Sequence, residues 1–292
     1  MGVSSSDLTS DDPAASDLDA VERARRARIG DLSVLFVVPF VLVAVFALPI
    51  EARRAYAFSY TEPTVVTAFT AHYVHLTPTH LAGNLVGFVL LASVAYRLSV
   101  VAGRRRLFFT SFVTFLLAFP FVLSGLNLAI PRDAVGFGFS GINMALLGYV
   151  SVVLVTVAED CFGADGTRYG PALFFASTSY IVALVLPPSV TAIGLAAIGI
   201  VVAIPYGHAA ARRSSRTLRG TVGHALATPG YSELLGVCAV VLLAYPIAGF
   251  PRPTPGGPRI NVYVHFLGYA LAFLVVHVFL LVDRRVPPVA RT

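Results

Sequence analysis

The 292-residue chain has no lysine, no tryptophan, only two cysteines, and 12% charged residues against 57% hydrophobic ones. Each scarcity excludes something. Soluble domains carry about 25% charged residues, so an ordinary water-soluble globular protein is excluded. The abundant apolar surface likewise excludes an intrinsically disordered chain. Two cysteines, Cys161 in a polar stretch and Cys238 in an apolar run, cannot build a disulfide framework or a cysteine-rich metal site. All 21 basic residues are arginine, spread over short stretches between apolar runs, so the net charge of +6 is not a nucleic-acid footprint. No acidic residue lies well inside an apolar run. That removes an intramembrane aspartyl protease, which needs two embedded carboxylates, and speaks against a proton-coupled transporter. A His-Glu-x-x-His zinc motif is also absent; neither a metal nor another cofactor is expected.

What the chain does have is long apolar segments, at about 32–50, 80–98, 107–130, 138–158, 171–187, 190–206, 233–250 and 260–282, and a mean hydropathy of +0.79. A membrane-crossing helix needs about 17–25 such residues. The expectation is an all-α polytopic membrane protein with eight transmembrane helices and the lipid bilayer as its surroundings. Pro187-Pro188 separates the two shortest segments and predicts a tight hairpin, since a proline pair ends one helix and suits the start of another. Residues 1–30, rich in Ser, Ala and Asp, are expected to form a disordered tail rather than a cleavable signal peptide. Residues 31–285 form the transmembrane domain and 286–292 a second tail. Sixteen arginines fall on the side of the N-terminus and five on the other. Cytoplasmic loops are enriched in Lys and Arg, which predicts a cell-membrane protein with both termini cytoplasmic.

The polar groups inside the helices are Ser, His and Asn. The second segment opens with His75, His80 and Asn84; the last two are spaced i, i+4 and share a helical face. The fourth opens as Gly138-Phe139-Ser140-Gly141, where glycines permit close backbone approach and leave N–H groups free at a helix N-terminus, an arrangement able to stabilise an oxyanion. The eighth carries His265, followed by Gly268 and Ala272, a small-xxx-small face for close helix packing. Taken singly, these features also fit a hydrogen-bonded interfacial cluster, a serine N-cap, or a bis-histidine haem site built from His80 and His265. Together they lie at one membrane depth, near the outer ends of three helices that run in the same direction.

The set His75-x4-His80-x3-Asn84, Gly138-x-Ser140-Gly141 and His265-x-x-Gly268 resembles the rhomboid family of intramembrane serine proteases. The resemblance covers roughly 32–158 and 260–282. It implies a rhomboid-like six-helix core and cleavage of transmembrane protein substrates near the outer side of the bilayer. Ser140 would be the nucleophile and His265 the general base. His80, Asn84 and the Ser140 N–H would form the oxyanion site, with His75, Gly138 and Gly141 in support and Gly268 and Ala272 packing the helices. Two of the eight helices are then extra, within about 171–250, and an even surplus leaves His265 on the outer side. The chain departs from the family pattern at Ala272, where a second glycine is usual, and at Met144, where an aromatic ring often stacks on the histidine. It also lacks the tryptophan common in the first outer loop. The alternative is a weak or inactive relative that binds membrane helices without cutting them. Oligomeric state and substrate identity are not legible in the residues.

Overall fold

The structure is a computed structural model that describes residues 13–162, 166–213, 223, 227, 230–252 and 260–283. It is an all-α polytopic membrane architecture. The helices are α1 (Pro13–Phe46), α2 (Ile50–Ala55), α3 (Val65–Thr70), α4 (Pro78–Val101), α5 (Arg105–Leu117), α6 (Phe119–Asn127), α7 (Ser140–Phe162), α8 (Gly170–Val185), α9 (Val190–Ala211), α10 (Tyr231–Gly249) and α11 (Val262–Asp283). Six of them are long and apolar enough to cross a membrane, namely α1 from Ile29 onward, α4, α7, α9, α10 and α11. The bent pair α5–α6 makes a seventh if it is one span. At 16 residues, α8 falls just short.

Two expectations are corrected here. Residues 13–30 are helical and run straight into the first membrane segment instead of forming a disordered tail. The stretch from Ala14 to Ile29 has no glycine or proline and is rich in alanine and arginine, good helix formers, and the helix continues through Gly30 into the span. Residues 1–12 and 286–292 lie outside the described residues. Second, the segment 107–130 is two helices, bent by 47° around Ala118. Pro120 lacks the N–H that would bond Leu116 one turn back. The freed Leu116 carbonyl instead accepts the Tyr73 hydroxyl at 2.6 Å.

The centre of the bundle is α7, with 89% of its first 18 residues buried. Its partner α11 approaches very closely. A Cβ on Gly148 would lie 3.0 Å from the Phe273 amide nitrogen and run into the Tyr269 carbonyl oxygen. Small residues thus let the two backbones touch, the usual way membrane helices gain dispersion contacts. On the other side α4 packs against α7, where the Tyr149 hydroxyl shares a 2.8 Å hydrogen bond with Ser99. Helices α8 and α9 form the hairpin predicted at Pro187-Pro188 and pair mainly with each other. Ser189 caps α9 by accepting from the Ala192 N–H, and Gly199 brings α9 against Ser179 and Phe175 of α8. Helix α10 leans mainly on α7 and also touches α4 and α8, where the Tyr180 hydroxyl donates to the Leu243 carbonyl.

The stretch between α1 and α4, for which the sequence suggested no element, is ordered by local chemistry. Thr64 and Thr67 form a reciprocal capping box at the start of α3. A short strand β1 (Phe58–Ser59) pairs antiparallel with β2 (Val135–Gly136), which leads into Ser140. Arg53 donates to the His75 carbonyl at 2.7 Å and stacks its guanidinium 4.3 Å from the Phe46 ring centroid. At the far end of the bundle, buried Asp31 of α1 accepts from the Tyr96 hydroxyl of α4 and from Arg105 of α5, locking three helices together.

Candidate active site

Helix α7 starts at Ser140 because Phe139 is its cap: the Phe139 carbonyl accepts from the N–H groups of Ile142 and Asn143. The N–H groups of Ser140 and Gly141 belong to the first turn and have no carbonyl one turn back. The preceding chain reverses at Gly138, whose φ of +111° is open only to glycine at low cost. A second reason for glycine is His80, whose Nε2 would lie 2.8 Å from a Cβ at that position. The His80 ring therefore sits directly over the turn that leads into Ser140.

His265, in the first turn of α11, is buried and reaches the half-buried Ser140. Its Nε2 lies 2.7 Å from Ser140 Oγ, across a sequence separation of 125 residues. Its Nδ1 lies 2.5 Å from the carbonyl oxygen of Gly249. A carbonyl can only accept, so Nδ1 carries the proton. In the neutral ring Nε2 is then the bare nitrogen, and it accepts the Ser140 hydroxyl proton.

Glycine sets this geometry as well. A Cβ on Gly268, one turn below His265, would run into the Gly141 carbonyl oxygen and sit 3.1 Å from its carbon. Ala272, one turn further along, is fully buried. The N-terminus of α11 is held by Asn261, which accepts the Val264 N–H and donates to Tyr60 and to Asn127, each bond 3.0–3.1 Å long. Arg132 closes this group, donating to Asn127 Oδ1 at 2.6 Å and lying over the Tyr60 ring.

His75 is completely buried and joins α4 to the Gly138 turn. Its Nε2 receives the Phe139 N–H at 3.4 Å and Asn84 Nδ2 at 3.0 Å. Burial, with His80 alongside, pushes the His75 imidazole down to about 4. Asn84 Nδ2 also donates to the His80 carbonyl at 3.1 Å, so both of its hydrogens are engaged. Asn143 fixes the other end of that amide, donating to Asn84 O and Oδ1 at 3.0 and 3.3 Å.

Ser140, His265, His80, Asn84, His75, Gly138, Gly141 and Gly268 thus meet in one place, where α4, α7 and α11 begin. Met144 places its Cε against Gly249, where a Cβ would meet it. The aromatic neighbour of His265 is Phe250, edge-on at 6.0 Å between centroids. Sequence reasoning missed Asn143, legible only as an amide in an apolar run, and the contributions of Gly249 and Phe250. His277 lies apart, packed against Gly170 at the start of α8. Compared with family models, curated proteins and solved structures, the chain finds no match. Its functional reading stands on these residues and their arrangement.

Proposed function

We propose that this chain is an intramembrane serine endopeptidase of rhomboid type, cutting transmembrane protein substrates near the outer side of the bilayer. The observation that supports the reading is the 2.7 Å contact between Ser140 Oγ and the unprotonated Nε2 of His265, at a helix N-terminus with free N–H groups. In the proposed reaction Ser140 Oγ attacks the scissile carbonyl carbon while Nε2 takes its proton. The tetrahedral oxyanion receives hydrogen bonds from the Ser140 and Gly141 N–H groups and from His80 above the Gly138 turn, each worth a few kcal/mol in a preorganised site. The imidazolium then returns its proton to the leaving amine. The acyl-enzyme that remains is hydrolysed by water activated at the same nitrogen. Asn84 joins the oxyanion site by releasing the His80 carbonyl.

Counting α5–α6 as one bent span and α8 as a short one gives eight crossings with both termini on the cytoplasmic side of the cell membrane. In this reading α1, α4, α5–α6, α7, α10 and α11 form the six-helix core, and the α8–α9 hairpin is the addition. The test is labelling of the purified protein by a fluorophosphonate probe, beside Ser140→Ala and His265→Ala. Labelling of the wild type that disappears in both variants is expected. A folded wild type that stays unlabelled would overturn the protease reading in favour of a helix-binding relative.

A further inference from the structure

The helix that precedes His265 in the chain ends on it. The last residue of α10 is Gly249, and its carbonyl is one of the helix-terminal acceptors left without an intrahelical donor. Three residues earlier, Pro246 O takes the Phe250 N–H at 2.7 Å and closes the last turn of the helix. Gly249 O instead meets His265 Nδ1, carrying with it the negative end of a 19-residue helix. Two further contacts fix the approach. Gly249 packs against the tip of Met144, whose Cε a Cβ at position 249 would displace, and Phe250 places its ring edge-on to the imidazole.

We infer that the Gly249 carbonyl is the third member of the catalytic group, a positioning acceptor that holds His265 in the Nδ1–H tautomer and aims Nε2 at Ser140. This rests on the protease reading of the same site. In serine hydrolases a buried carboxylate usually orients the histidine. Inside a membrane a buried carboxylate is costly, and among the described residues none is hydrogen-bonded to His265. A helix-terminal carbonyl orients the ring through a fixed dipole without a net charge.

The experiment compares wild type, Gly249→Ala, Met144→Ala and the double variant as full-length protein in detergent. Fluorophosphonate inactivation gives kinact and KI separately. The 15N spectrum of histidine-labelled protein, with the His265 resonance identified by its absence in His265→Ala, reports the tautomer. Gly249→Ala is expected to lower kinact about tenfold, because the methyl must displace Met144 Cε beside the carbonyl and small misplacements of an orienting group are costly, with KI unchanged and the Nδ1–H signature weakened. The double variant, with room for the new methyl, is expected to recover both. Wild-type kinact and tautomer in Gly249→Ala would overturn the inference, as would a loss that Met144→Ala does not repair. A wild type that is never labelled would sink the protease reading instead. The nitrogen spectrum would then decide the Gly249 bond on its own, a wild-type ring lacking the Nδ1–H tautomer overturning it.

Discussion

Replacing Gly268 by alanine tests whether the dyad is set by backbone contact between α7 and α11. The added Cβ would collide with the Gly141 carbonyl oxygen and lie 3.1 Å from its carbon and 3.3 Å from Met144 Cβ. All three are backbone or first side-chain atoms, so no rotamer change relieves them. Carbon atoms rest at about 3.5–4.0 Å, and clearing the oxygen as well requires the helices to part by roughly 1 Å. That displacement falls one turn from His265 and next to Ser140, and a 1 Å misplacement in a catalytic group costs up to about a hundredfold in rate. Stability responds less, because overpacking costs about 1–3 kcal/mol while replacing glycine in a helix returns about 1 kcal/mol. Fluorophosphonate kinact should therefore fall about a hundredfold with a small change in the unfolding midpoint. Gly194→Ala in α9, where nothing lies within 4 Å, is the control and should leave kinact alone. A Gly268→Ala protein labelled at the wild-type rate would refute the claim that this contact sets the dyad.

Acid sensitivity should come partly from the stretch before α4. Burial holds His72 and His75 down to about 4 in the folded chain, against 6.5 for a free imidazole. Between those values the unfolded chain binds more protons, so stability is full above about pH 6.5 and is lost as the pH falls toward 4. Thermal unfolding in detergent across that range should show a declining midpoint, and a flat profile would contradict it. Tyr73→Phe removes the only donor to the Leu116 carbonyl among the described residues, and should cost about 1 kcal/mol or more. The unfolding midpoint should drop while fluorophosphonate labelling persists; an unchanged midpoint would mean the carbonyl is satisfied without it.

The long-range plan was legible because lipid leaves few choices: a run of apolar residues of spanning length satisfies its backbone only as a helix. Each apolar segment accordingly contains one helix, or two at 107–130. The bend there was not legible, since Pro120 within an apolar run does not reveal whether the chain kinks gently or breaks. The order between α1 and α4 escaped because its elements are too short to show a period. In the site, side chains such as Ser140 and His265 announce themselves by residue type. The Gly249 carbonyl does not, because every residue has one and only folding decides which becomes an acceptor. Asn84 shows the opposite limit: its identity was readable, but its engagement with His75 and the His80 carbonyl belongs to the tertiary structure.

The 125 residues between Ser140 and His265 have a consequence for how the molecule is made. A ribosome adds about 5–20 residues per second, so the serine precedes its histidine by roughly 6–25 s. During that interval α7 has no α11 to close against, and the α8–α9 hairpin can settle into the bilayer on contacts of its own. The Ser140–His265 contact cannot form until α11 arrives, so this site is assembled late in the synthesis of the chain.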